Sequence, residues 1–210
     1  MILRILGSLA LILGAAAVMF YLSFMGKGPW TTPEARHLRA LKDRRVAPAR
    51  YEPLTMGDVQ RLPHQLSLAA YAPLEARGVS YEGYVQRILR AIDDDCHLEV
   101  TPTPRGSAGP DTAYVTAEIT PWWRQHSQRW SYEGLVAAFR PNHGGASPWD
   151  DGPRRVRVSG WLLYDFQYDT RVSPWSLQYQ APRVSGWEIH PVTRIELWDD
   201  ARQSWVDDPR

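Results

Sequence analysis

The chain has 210 residues, an ordinary apolar share of 44% and a formal net charge of +1 at pH 7. That combination excludes a disordered chain and a protein drawn to nucleic acid by its overall charge. A single cysteine, Cys96, excludes an internal disulfide and any multi-cysteine zinc site.

The first element is an uncharged run at 5–24, ILGSLALILGAAAVMFYLSF. As a helix rising about 1.5 Å per residue it crosses the roughly 30 Å of a bilayer core. A cleaved signal peptide is the rival, with small residues at Ala15-Ala16-Ala17. Cleavage there would leave the apolar stretch 18–25 at the start of the mature chain, which favours an uncleaved anchor over residues 1–26. Arg4 precedes the run, and Lys27, Arg36, Arg39, Lys42, Arg44 and Arg45 follow it. The positive-inside rule would hold that second set in the cytoplasm, but most of it lies away from the span, and long domains translocate largely regardless of charge. The expected address is a bacterial inner membrane, crossed once, with the domain on the periplasmic side.

Residues 27–76 read as a basic tether. Thr32-Pro33-Glu34 supplies an N-cap, a proline at the first helical position and an acid at the positive helix end. The helix should stop before Pro48. A second short helix starts at Thr55, with Asp58 three residues on, and ends before Pro63. The basic side chains face either water or anionic lipid headgroups.

Residues 77–199 read as a β-domain, with 200–210 as a tail. The stretch 78–91 is a long first strand, rich in β-branched and aromatic residues, in which Gly83 implies a bulge or bend. Asp93-Asp94-Asp95 forms a turn that lacks the spacing of a calcium loop. Residues 96–101 form the second strand, with Cys96, Leu98 and Val100 on one face and His97 and Glu99 on the other. The third strand, 112–120, puts Ala113, Val115, Ala117 and Ile119 inward and Tyr114, Thr116 and Glu118 outward. Ser131 caps a helix over 132–139. The fourth strand, 155–165, ends at Asp165. A connector over 167–185 leads to the fifth, 186–199, which carries the pair Glu188 and His190. Three strands, a helix and two strands predict a mainly β fold: a five-stranded OB-like barrel of order β-β-β-α-β-β.

His97, Glu118, Asp165, Glu188 and His190 all fall on the phase opposite to the apolar residues of their strands. In an OB barrel that phase is a continuous outer surface. The antiparallel neighbours pair His97 with Glu118, and Asp165 with Glu188 or His190. The third and fifth strands run parallel, which separates Glu118 from Glu188 by ~15 Å at about 3.3 Å per residue. Two polar pairs are therefore expected, serving as structural hydrogen bonds, a ligand groove or a metal centre. His97, Glu118, Glu188 and His190 are the ligand types for zinc or manganese. Of ten tryptophans, Trp122, Trp123 and Trp175 fall in predicted loops or at a helix start. There they would stack on a ligand, bury the tether against the domain, or seat the domain near headgroups. Cys96 points inward and reads as an inert core thiol.

The segments Glu82-Gly83-Tyr84-Val85, Asp93-x-Asp95-x-His97-Leu98, Ala117-Glu118-Ile119, Val158-Ser159-Gly160 with Tyr164-Asp165, and Glu188-Ile189-His190-Pro191-Val192 occur in this order. In that order and spacing the chain resembles a diffuse group of small exported or membrane-anchored bacterial proteins of unassigned function, over residues 78–195. Asp94 departs from the glycine usual in that group, and Cys96 from an aromatic or aliphatic residue. The resemblance implies an exported β-domain and no particular reaction. No phosphate loop, nucleophile elbow or H-E-x-x-H motif is present. The expectation is a membrane-tethered binding or assembly module without enzymatic activity or cofactor, its partners the lipid bilayer and a protein or glycan. The domain carries more acidic than basic residues, which makes nucleic acid unlikely. The alternative is a metal-dependent hydrolase, for example of phosphodiesters, using His97 with Glu118, or Asp165 with Glu188 and His190.

Overall fold

The structure is a computed structural model and describes residues 2–24, 27–28, 31–91, 93–104, 113–127, 130–141, 152–169 and 183–207. Trp175 and the glycine- and asparagine-containing loop after Pro141 lie outside them. The chain divides into two compact units, Met1–Asp43 and Arg44–Arg210.

The first unit is helical. The helix α1 (Ile2–Phe24) contains an apolar window, Leu6–Ser23, with mean hydropathy 2.0, long and apolar enough to cross a membrane. Leu11 and Phe20 are exposed on it. The helix α2 (Pro33–Lys42) starts as the sequence dictates. The Thr32 hydroxyl accepts the Ala35 amide, Pro33 needs no donor at that position, and Glu34 lies in the positive first turn.

The second unit is a mixed seven-stranded sheet with short helices. It begins with β1 (Glu52–Leu54), α3 (Met56–Arg61) and α4 (Leu68–Glu75). Thr55 and Asp58 form a reciprocal capping box on α3. Residues 44–76, read from the sequence as tether, thus share a unit with the sheet. Five longer strands follow: β2 (Gly78–Arg90), β3 (Cys96–Thr101), β4 (Tyr114–Ile119), β5 (Arg155–Tyr164) and β6 (Arg183–Asp199). Helices α5 (Pro121–Ser127) and α6 (Tyr132–Phe139) lie between β4 and β5. The chain expected as a tail instead forms β7 (Ser204–Asp207), a hairpin partner of β6.

The pairing order is β1-β2-β3-β4-β6-β5, and β2 also pairs with β5, so the five longer strands form a closed ring of ladders. β1 is parallel to β2, and β4 is parallel to β6; the other ladders are antiparallel. The core inside the ring is Val79, Val85, Leu98, Ala117, Val158, Leu162, Ile189 and Ile195, sealed by Leu135 and Phe139 of α6. Cys96 belongs to that core, as its strand phase requires.

Two glycines mark close approaches of backbone. A Cβ at Gly83 would sit 2.3 Å from the Thr101 carbonyl oxygen, and one at Gly160 would sit 2.2 Å from that of Pro191. Register shifts flank Gly160 in its ladder with β6, whereas the irregularity of β2 falls between Val85 and Arg87, just beyond Gly83.

Candidate functional site

The phase rule places His97 and Glu118 across from each other on antiparallel β3 and β4, and they are register partners. His97 Nδ1 lies 2.8 Å from Glu118 Oε1. On β6, Glu188 and His190 are two apart and share a face. His190 Nδ1 lies 2.9 Å from Glu188 Oε1 and 3.2 Å from Glu118 Oε2. On the other side of the ring, His190 Nε2 lies 3.3 Å from Asp95 Oδ2. One donor atom from each of Asp95, Glu118 and His190 fits within a 4.8 Å span.

The expected separation of Glu118 from the Glu188/His190 end does not occur. β6 begins at Arg183, so Glu188 and His190 sit inside the strand rather than at its entry. The parallel register then sets Thr116 against Glu188 and Ala117 against Ile189, which brings Glu118 beside His190. The His97–Glu118 pair thus meets Glu188 and His190 in one cluster, while Asp165 caps a turn of its own.

The expectation of an exposed surface at these residues also fails. Exposure is 0% for His190, 1% for Glu188, 5% for Asp95 and 6% for Glu118. Every residue of β4 is buried, its polar face as well as its apolar one. Buried charges persist only when paired, and the partners are present. Arg183, at the start of β6, bonds Glu188 through its guanidinium. Burial works against charge on Arg183, but Glu188 and then Asp165, Glu118 and Tyr114 hold it above the usual arginine value. Asp165, fully buried, caps the short 3-10 turn Phe166–Tyr168 by accepting the Gln167 amide at 3.0 Å. Burial raises the Asp95 carboxyl above its usual range; the His190 contact opposes that rise, and Glu118 and Asp93 add to it.

Asp95 is the member that sequence reading missed, because the Asp93-Asp94-Asp95 run has the composition of a turn. Its position immediately before Cys96 and two before His97 was the available signal, since residues two apart in extended chain share a face. A second polar group was also missed. His64 Nδ1 contacts Asp169 Oδ2, and the Tyr164 hydroxyl donates to that same oxygen at 2.5 Å. Tyr164 stacks on Tyr71 at 4.5 Å between centroids, and burial followed by the Asp169 bond raises its phenol well above the usual value. His64 and Asp169 sit in connecting segments with no periodicity to betray them.

Among the described residues, Trp122, Trp123 and Trp161 have internal partners. Trp122 and Trp123 lie on α5, a helix where a loop or helix start was expected. Trp123 Nε1 donates to the Arg44 carbonyl at 2.9 Å, and Trp161 Nε1 donates to that of Val46 at 2.8 Å. The Arg44 guanidinium lies 4.5 Å over the Trp161 ring and donates to the Glu75 carbonyl at 2.7 Å; Arg45 lies 5.9 Å over Trp122. The first residues of the sheet-bearing unit are thereby clamped to it.

No family model and no curated protein matches the chain. Among solved structures it is similar to the crystal structure of asparaginyl-tRNA synthetase from Pyrococcus horikoshii complexed with asparaginyl-adenylate. The identity is 18%, over 65% of this chain and 22% of that one, with a TM-score of 0.30. The chain therefore matches only about a fifth of that synthetase, a likeness too loose to bear on activity.

Proposed function

We propose that this chain is a membrane-anchored binding and assembly module whose five longer strands close as an OB-like barrel, presented on the periplasmic side of a bacterial inner membrane to a protein or glycan. The closed ring of ladders and the helix α6 between the third and fourth of those strands support the barrel. The apolar window in α1 supports the anchor.

The observation that carries the non-enzymatic reading is the burial of the polar cluster. A hydrolase must bring a scissile bond to within about 3 Å of its base. Here His190 and Glu188 are enclosed by their own neighbours. The second reading, a metal-dependent hydrolase of phosphodiesters, draws on the Asp95–Glu118–His190 grouping. The test uses the full chain in its native membrane. Alkaline extraction should leave it in the pellet, and photocrosslinkers on the outer faces of β5 and β7 should trap one recurrent partner. The detergent-purified chain should not turn over bis-p-nitrophenyl phosphate with zinc or manganese. Turnover that disappears in His190→Gln would establish the hydrolase instead.

A further inference from the structure

We infer that Asp95, Glu118 and His190 form a site for one divalent transition-metal ion of the zinc or manganese class, which ties two strands to the turn before a third. The site is independent of the binding reading above.

The chemistry of the donors comes first. One imidazole and two carboxylates, with donor atoms inside 4.8 Å of one another, are a ligand set for zinc or manganese. Metal–ligand bonds of about 2.1 Å place neighbouring donors roughly 3 to 3.4 Å apart. The Nε2–Asp95 separation, 3.3 Å, already has that size, whereas Glu118 Oε2 lies 3.2 Å from Nδ1, the other ring nitrogen, and must swing toward Nε2 within the 4.8 Å span. Rotation of two carboxylates closes the remainder.

The surroundings supply what a metal-binding imidazole needs. A ligating histidine almost always gives its other ring N–H to a carboxylate, which fixes the tautomer. Glu188 Oε1 lies 2.9 Å from His190 Nδ1, and this leaves Nε2, the nitrogen facing Asp95, as the lone pair. Arg183 holds Glu188 in turn, and His97 holds Glu118 at 2.8 Å. The charges point the same way. Asp95, Glu118 and Glu188 converge on one imidazole, and Arg183 bonds Glu188.

A separate observation comes from Thr116. Its hydroxyl is fully buried on the face of β4 that carries Glu118, in register with Glu188, and it has no hydrogen-bond partner among the described residues. A buried hydroxyl without a partner is destabilising by about 1–3 kcal/mol. A metal-bound water is the kind of group that would satisfy it.

The ion would join β4, β6 and the turn before β3, and so would fix the register of the parallel β4–β6 ladder. The test uses the full chain purified in detergent through a tag without histidines and without chelator. Elemental analysis should find about one zinc or manganese per chain. Chelation should lower the thermal midpoint by about 5 °C or more, and zinc or manganese should restore it. Asp95→Asn should lose the ion with a weakening of at least tenfold, while Asp93→Asn, two residues earlier in the turn, should keep it. Absence of stoichiometric metal together with a midpoint indifferent to chelator and added ions would overturn the site. So would equal metal content in the wild type and Asp95→Asn. If the variants do not fold, metal content and midpoint of the wild-type chain decide alone. A metal found without phosphodiester turnover would leave the binding module standing, and turnover without it would separate the two conclusions.

Discussion

The substitution Gly160→Ala tests the closed ring most directly. The added Cβ would lie 2.2 Å from the Pro191 carbonyl oxygen, 2.9 Å from Ile189 Cγ2 and 2.9 Å from Val192 Cα. Comfortable contacts are about 3.5 Å, so β5 and β6 must separate locally by roughly 1 Å. Two of the three obstacles are backbone atoms of a fully buried stretch, which cannot swing away as a long side chain would. Overpacking of this kind destabilises by about 1–3 kcal/mol, and a backbone clash belongs at the upper end. With a urea dependence of about 2 kcal/mol per molar, the unfolding midpoint should fall by about 1.5 M. The assay is urea unfolding of the detergent-purified chain, followed by tryptophan fluorescence. Gly57→Ala serves as the contrast, because the nearest atom to its Cβ is the flexible Arg61 guanidinium at 3.1 Å. That helical position should gain slightly, by about 0.5–1 kcal/mol. A Gly160→Ala midpoint within about 0.25 M of wild type, at unchanged slope, would refute the close approach of β5 and β6.

Arg183→Met should be severely destabilising, by about 3–5 kcal/mol, because it strands Glu188 as a buried charge; a urea midpoint like that of wild type would show that the pair is not enclosed. Burial pushes the Cys96 thiol up to about 11, so at pH 8 only about one molecule in a thousand carries the thiolate. Iodoacetamide should therefore label the native chain far more slowly than the urea-unfolded chain, and equal rates would contradict a core position. Burial alone would raise the Glu82 carboxyl, but bonds from Arg157 and Arg155 carry it below its ordinary value of 4.5. Because the folded pKa is depressed, its contribution is present above pH 4.5 and disappears as pH falls through the folded value. The gap in urea midpoint between wild type and Glu82→Gln should accordingly narrow from pH 7 to pH 3, and a constant gap would dismiss the two arginine bonds.

Local chemistry was legible in the residues. Thr32, Thr55 and Ser131 announce helix starts because their hydroxyls accept amides that would otherwise lack partners. Alternation in β3 placed Cys96 inside and His97 opposite Glu118, since an antiparallel ladder needs only phase and length to set its partners. The parallel β4–β6 ladder has no connecting turn to fix its register, so the meeting of Glu118 with His190 could not be read from spacing. Alternation also reports which residues share a face, but not whether that face is covered. Glu188 and His190 were therefore expected at the surface and are buried. Asp95 escaped notice because a triple-aspartate run resembles any exposed turn. β7 escaped because Trp205 and Val206 form too short an apolar run to stand out from a tail.

β6 makes ladders with β4, β5 and β7 and arrives only after all of the other long strands. During synthesis the apolar α1 emerges before the sheet, while β4 and β5 wait with open edges for β6, which pairs with both. Unpaired edges of that kind are templates for intermolecular pairing. The stretch that brings the histidine and glutamate together is thus also the stretch whose arrival ends the chain's exposure to aggregation. Truncation anywhere before it removes both at once.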